Sequence, residues 1–181
     1  MSEQILIADA LAEITTIGKR LEKKQQSIVA YVARDERIRD PLEKTGGSTQ
    51  FIASERQSHA DLTNRIIALR RAVAAANTAT LLNLNGVEMS LADWLVWKRE
   101  VYPLRKTLLD GLLRQVNVTR GEAKKRNVQL VGPNQQVQNE GDIMVHLDEQ
   151  ALNQEIEALE ELFGKLDGAL SVKNATTSVL L

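Results

Sequence analysis

The chain has no cysteine, only three prolines and few aromatic residues, which make up 3% of its 181 positions. The missing cysteine excludes disulfide bonds and thiolate metal sites. Because aromatic residues are scarce, Leu, Ile, Val and Ala supply the apolar content. Such a composition is typical of helix seams rather than of a deep globular core.

An excess of charge of one sign is also missing, since 23 Lys and Arg face 24 Asp and Glu. No global field attracts nucleic acid or an anionic membrane, so such a partner would need a local patch. No apolar run approaches the roughly 18 residues of a membrane span, and Met1–Gln4 carries an acid where a secretory signal carries bases. We therefore expect no membrane partner, and a cytoplasmic location, or a virion location if the chain is phage-encoded.

Helical periodicity is what the sequence does have. Apolar residues recur every seventh position in the first forty residues, at Ile7, Ile14, Leu21 and Ile28. This spacing predicts a long amphipathic helix over 3–38. Asp40-Pro41 and Gly46-Gly47 then indicate a linker over 39–51. We predict one elongated helical domain over 1–181, whose helix–hairpin–helix core spans 52–181.

The core begins with a second helix, from about Ser54 to Ala76, and a hairpin around Asn85-Gly86, a pair that accepts the two positive φ values of a tight turn. Ser90 and Asp93 form a variant capping box, which predicts a third helix from Leu91. Pro103 lies inside that helix and predicts a kink. A fourth helix follows Asp148, with a regular apolar stripe at Leu152, Ile156, Leu159, Phe163, Leu166 and Leu170.

Three further segments have strand character. Val128–Val131 and Ile143–Leu147 flank a polar loop and predict a second, looser hairpin. The β-branched tail from Asn174 to Leu181 should add a strand, either to the first hairpin or to a neighbouring subunit. The predicted fold is mainly α: an antiparallel, coiled-coil-like bundle of four long helices, with two small β-hairpins and a C-terminal strand at the poles.

Catalytic motifs are scarce. His59 and His146 are the two imidazoles, and neither belongs to a nucleophile motif. Gly46-Gly47-Ser48-Thr49 lacks the strand and the lysine of a phosphate-binding loop. The acidic residues of the fourth helix favour a solvated face over a metal site: Glu155, Glu157, Glu160 and Glu161. We predict a protein that is not an enzyme, with no cofactor and no metal.

Two groups of residues are candidates for protein interaction. Trp94, Trp97 and Tyr102 gather half of the chain's aromatic residues, either packed against neighbouring helices or exposed as an anchor for a partner. The apolar tail supplies the second group, Thr177, Val179, Leu180 and Leu181. A basic stretch from Arg114 to Arg126 offers nucleic-acid binding as a further, less favoured reading, which would be strongly salt-dependent.

Two helices share an exit of Asn and Thr leading into a strand, at Asn77–Leu81 and Asn174–Thr177. The order of such a helix, a glycine turn, a capped charged helix, a hairpin, a Glu-rich helix and a Thr-Thr strand resembles the septicolysin-like family of small bacterial coiled-coil proteins. The resemblance covers about residues 62–181 and leaves out the first helix and the linker. The loop over 132–141 is longer than the family pattern, and the resemblance implies no catalytic residue.

These features favour a non-enzymatic structural or assembly protein that forms a homo-oligomer or docks on a larger particle, for instance as a phage virion component. Long seams and a strand-forming tail both suit that function. The alternative is a monomeric adaptor that binds a protein or peptide through the region of Trp94, Trp97 and Tyr102.

Overall fold

The computed structural model describes residues 4–133 and 135–181 and is mainly α-helical. Its five helices are α1 (Ile7–Ala30), α2 (Gly47–Ala79), α3 (Leu91–Val96), α4 (Tyr102–Arg126) and α5 (Glu149–Thr176). Its six short strands are β1 (Gln4–Leu6), β2 (Leu81–Leu84), β3 (Val87–Ser90), β4 (Leu130–Val131), β5 (Ile143–Met144) and β6 (Ser178–Leu180). The predicted class, four long helices with small strand pairs, is confirmed.

The contacts divide the chain into two compact units. The first contains the described residues up to Thr80 together with Ser171–Leu181, and the second contains Leu81–Leu170. Helix α5 runs from the second unit into the first. The single domain over 1–181 remains a prediction.

In the first unit, α1 and α2 form an antiparallel hairpin. The Glu13 carboxylate accepts hydrogen bonds from Arg65 at 2.8 and 3.1 Å, and Lys24 contacts Glu55 at 2.7 Å. Partners of later α1 residues therefore lie earlier on α2, as antiparallel packing requires. The core beneath these pairs consists of buried aliphatic residues: Ile7, Ala10, Ile14, Ile17, Leu69 and Val73 of the two helices, with Val179 of β6.

The C-terminal strand closes this unit from within the same chain. Strand β6 pairs antiparallel with β1, so that Val179 lies opposite Ile5, and the Ile7 amide donates to the Thr177 carbonyl at 2.9 Å. The predicted pairing of the tail with the first hairpin is wrong, because residues 4–6, which the sequence assigns to a helix, form the partner strand instead. The buried Val179 side chain explains the choice, since β1 holds it over the α1–α2 core.

The tip between α1 and α2 is organised by one carboxylate. Asp40 accepts hydrogen bonds from the amides of Leu42 and Ser48 at 2.9 and 2.8 Å, and from the Ser48 hydroxyl at 2.7 Å. The Ser48 bonds and the Leu42 amide hold the pKa of Asp40 below its usual range. Asp40 thereby satisfies the Ser48 amide at the start of α2, which Gly46 cannot cap.

The helix bounds in this unit differ from the predicted ones. Helix α1 ends at Ala30 rather than at residue 38, and α2 starts at Gly47 rather than near Ser54. The predicted linker over 39–51 is thus partly helical. Apolar periodicity marks only residues that pack, so it does not locate the start of α2, which Asp40 sets.

In the second unit, the hairpin and its cap are as predicted. Asn85 and Gly86 have φ values of 51° and 84°, and β2 pairs antiparallel with β3. The Ser90 hydroxyl accepts from the Asp93 amide at 3.1 Å and donates to the Asp93 carboxylate at 2.6 Å. Helix α3 therefore starts at Leu91, directly after the hairpin.

A π-helical segment, Trp97–Val101, joins α3 to α4 where Pro103 predicts a kink. The Tyr102 amide donates to the Trp97 carbonyl, five residues earlier. Proline has no amide hydrogen and clashes with the preceding turn, so a wider turn just before it relieves the conflict. The extra residue also turns the side chains that precede Tyr102 relative to those that follow it.

The second predicted hairpin is wrong. Strands β4 and β5 run parallel, with Leu130 opposite Ile143 and Val131 opposite Met144. The Asp142 carboxylate accepts from the amides of Gln129 and Asn139, and these bonds lower its pKa. They help bring the connecting loop back so that β5 enters in the same direction as β4.

We expect Val179→Ala to lower the free energy of unfolding by about 2 kcal/mol, because it leaves a cavity at a side chain only 2% exposed. Leu180→Ala is the matched control in the same strand, at 67% exposure, and should change stability by less than about 0.5 kcal/mol. Urea denaturation followed by circular dichroism measures both. Equal effects would contradict the placement of β6.

Asp40 predicts an acid-sensitive tip. The pKa of Asp40 is lower in the folded chain than in the unfolded chain. The carboxylate therefore stabilises the fold above the pKa of the unfolded chain, and this stabilisation is lost as pH falls through the pKa of the folded chain. The melting temperature of the wild type should therefore exceed that of Asp40→Ala at pH 7, and the difference should shrink below about pH 4. A difference that stays constant with pH would contradict this.

Candidate interaction surface

The aromatic residues singled out from the sequence form one cluster within the second unit. The Trp94 and Trp97 rings meet edge to face at 5.8 Å between centroids, and Trp97 lies 5.9 Å from Tyr102. Tyr102 stacks on Phe163 of α5 at 4.0 Å with an interplanar angle of 23°. The chain of rings thus links the π-helical segment and α4 to α5.

Burial differs along this cluster. Trp94 is 2% exposed, and its indole nitrogen donates to the Leu82 carbonyl at 2.9 Å. Trp97 and Tyr102 are half-buried. The interpretation that these rings pack against neighbouring helices thus describes Trp94, whose indole N–H is also hydrogen-bonded within the chain. Trp97 and Tyr102 each pack one face of the ring against neighbouring residues.

The tail residues have separate environments. Val179 is buried in the first unit's core, and Leu181 packs partly against it. Thr177 is half-buried, and its carbonyl accepts from Ile7. Leu180 alone among the four is exposed, at 67%. On one edge of β6, the backbone groups that could have bonded to a strand of a neighbouring subunit therefore bond to β1 of the same chain.

Four exposed apolar side chains of the second unit lie on α4 and just before it, in what we name the α4 stripe: Val101, Leu104, Leu108 and Val118. Leu104 is 73% exposed and Leu108 is 62% exposed. The spacing of four residues places Leu104 and Leu108 on one face of the helix, away from Leu109, which is buried against Leu152 and Leu159 of α5. Of these two adjacent leucines, Leu109 points inward and Leu108 points outward.

A row of ion pairs joins the two helices beside their buried seam. Arg105 contacts Glu155 at 3.0 Å, Lys106 contacts Glu160 at 2.8 Å, and two further pairs are Lys98 with Asp167 and Arg120 with Glu149. The Glu160 carboxylate raises the pKa of Lys106. Two of the glutamates expected on a solvated acidic face, Glu155 and Glu160, therefore hold cations of α4, while Glu161 contacts Lys165 of its own helix.

The basic end of α4 comprises Arg114, Arg120, Lys124, Lys125 and Arg126, and the last three lie in the final helical turn before Asn127. Cations in this position complement the helix dipole. Arg120 is occupied by Glu149 and by the Asn117 side chain. The stretch therefore offers a nucleic acid fewer free cations than its sequence suggests.

The two histidines lie in different units. His59 borders a shallow pocket of about 230 Å³ with Gln25, Ile28, Val29 and Arg56, whereas His146 is exposed after β5. Another pocket, of about 370 Å³, lies between Arg120, Leu130 and Glu149. In the described residues, no group of three or more His, Asp or Glu side chains could hold a metal ion.

Within residues 4–133 and 135–181, no helix combines the length and the apolar character that crossing a bilayer requires.

No protein-family model matches the sequence, and no curated protein does. The fold is similar to that in a crystal structure of a functionally unknown conserved protein from Corynebacterium diphtheriae, with a TM-score of 0.58 and 18% sequence identity. The similarity covers 98% of this chain and 99% of the other. It shows a shared fold over nearly the whole length, and the resemblance to the septicolysin-like family stays a prediction.

We expect Tyr102→Ala to lower the free energy of unfolding by about 2 kcal/mol, because it removes the ring that stacks on Phe163. Tyr102→Phe retains the ring and should be nearly neutral. Urea denaturation, with tryptophan fluorescence as the probe of the second unit, measures both variants. A stable Tyr102→Ala protein would contradict a packing role for this residue.

Proposed function

We propose that the protein is a non-enzymatic structural protein that assembles by self-association through the α4 stripe. Incorporation of the assembled chains into a larger particle, such as a phage virion, is the wider form of the same proposal. The observation that supports it is the exposure of Leu104 and Leu108, two leucines one helical turn apart on a regular helix.

A lone exposed leucine is ordinary on a protein surface, but a run at helical spacing is not. Each of these leucines would gain roughly 1.5–3 kcal/mol on full burial. Val101 lies just before the two leucines, in the π-helical segment, and Val118 lies ten residues after Leu108. Apolar side chains spread along one helix suit the side of another helix better than a small ligand.

The stripe is independent of the packing within the chain. Helix α4 uses Leu109 and Val116, which are buried, to contact its own unit, and ion pairs with α5 border that seam. Substitutions on the stripe should therefore spare the monomer fold. Self-association through this face would bury the second apolar side of a helix that the chain covers only on the first.

The adaptor alternative placed a partner on Trp94, Trp97 and Tyr102. Trp94 is buried with its indole donor satisfied, and Tyr102 stacks on Phe163. These contacts favour a stabilising role for the aromatic cluster, and self-association through α4 is the function that we propose.

Mass measurement by light scattering over a concentration series tests this function. We expect the wild type to exceed the monomer mass of 20.1 kDa, and Leu104→Gln with Leu108→Gln to return it to the monomer. Glutamine is nearly as good a helix former as leucine, so α4 should persist, and circular dichroism verifies this.

The matched control is Val29→Gln, which changes a valine of α1 that is 64% exposed and lies in the first unit. Its mass should equal that of the wild type. A wild type that stays at the monomer mass at every concentration would contradict the proposed function, as would an oligomer that survives the double substitution.

A further inference from the structure

The turn at Asn85-Gly86 joins two residues that can react with each other. Asparagine is one of the thermolabile residues of proteins, and Asn85 is the only asparagine of the sequence that a glycine follows. Because glycine has no Cβ, its backbone nitrogen can approach the preceding carboxamide carbon without a steric clash. Both residues are exposed, and a Cβ on Gly86 would meet no atom within 4 Å, so water reaches the turn. The site therefore contains what deamidation requires.

Deamidation at this pair consists of two steps. The Gly86 nitrogen attacks Cγ of Asn85 and forms a succinimide ring, while the bond from Cγ to the side-chain nitrogen breaks and ammonia leaves with the proton of the Gly86 amide. Water then opens the ring at either carbonyl, which leaves aspartate or isoaspartate at this position. The net reaction consumes water and releases ammonia, and it needs neither an oxidant nor a reductant.

The folded hairpin opposes the first step. The Gly86 amide must lose its hydrogen for the nitrogen to attack, and this amide donates a hydrogen bond to the Asn83 carboxamide oxygen at 3.1 Å. The Asn85 carboxamide must rotate toward that nitrogen, but its oxygen accepts a hydrogen bond from the Lys165 ammonium group of α5 at 3.2 Å. The paired strands β2 and β3 hold the backbone on both sides of the turn. Ring closure therefore requires that these contacts break first.

We propose that Asn85 is a deamidation site that the folded hairpin keeps unreactive, and that it converts to aspartate or isoaspartate when the turn opens. A hairpin can open locally, at a lower free energy than the whole chain unfolds. The rate of deamidation at Asn85 then equals the rate in the open turn multiplied by the fraction of time that the turn is open. The site is separate from the α4 stripe.

The isoaspartate product would alter the second unit. It places an additional methylene group in the backbone, at a turn whose two central residues have positive φ values of 51° and 84°. Leu82 and Leu84 of β2 pack against the core around Trp94, whose indole nitrogen donates to the Leu82 carbonyl. A longer turn should disturb the strand register that holds both leucines against this core.

Deamidation rates of the full chain test the site. The protein is incubated at mildly alkaline pH, either folded or unfolded in guanidinium chloride, and peptide mapping by mass spectrometry follows aspartate and isoaspartate at position 85. We expect the unfolded chain to react at least about tenfold faster than the folded chain, because the folded turn must open first.

Two substitutions of Asn83 test the hydrogen bond to Gly86. Asn83→Ala removes the acceptor and should raise the rate in the folded chain about threefold to tenfold, which corresponds to the loss of one hydrogen bond. Asn83→Asp is the matched control, since it keeps an acceptor oxygen, and its rate should stay within about twofold of the wild-type rate. Circular dichroism verifies that both variants fold.

Equal rates in the folded and the unfolded wild type would overturn the proposal, as would an Asn85 that stays unreacted in the unfolded chain. The protection by Asn83 would be contradicted by an Asn83→Ala chain that reacts as slowly as the wild type, or by an Asn83→Asp chain that reacts as fast as Asn83→Ala.

Discussion

A helical hairpin buries only one face of each of its helices, and this constraint governs both units of the chain. In the first unit α1 and α2 share one aliphatic seam, and in the second α4 and α5 share another. Ion pairs border both seams, at Glu13 with Arg65 and at Arg105 with Glu155. Each such pair is partly exposed and contributes little energy, but its geometry fixes which residues face each other.

The narrow seams make the helix ends important. A pair of helices without a third layer gains modest burial per residue, so unsatisfied amides at a helix start cost a larger share of the total stability. In the part of the chain that the structure describes, side chains cap three helices: Asp40 at α2, Ser90 at α3 and Asp148 at α5. The strand pair of β1 and β6 acts in the same way for the first unit, because it places Val179 over the end of the seam.

The remaining helix faces are what the chain has available for other molecules. Most of these faces are charged, as the pairs and the basic end of α4 show, and they suit contact with water. The α4 stripe departs from this pattern with leucines that have no function in the packing of their own unit. In the proposed function, self-association through this stripe supplies the missing layer.

The local features that the sequence predicted correctly depend on neighbours in the chain. The turn at Asn85-Gly86 and the cap at Ser90 are each specified within about five residues, and the apolar stripe of α5 repeats in steps of three and four residues. Only the tertiary structure decided features that depend on distant partners. Residues 4–6 became a strand because β6 reaches them, β5 runs parallel to β4 because the loop returns through Asp142, and Leu109 rather than Leu108 faces α5. Adjacent leucines are equivalent in a periodic pattern, so only the position of a second helix distinguishes the buried one from the exposed one.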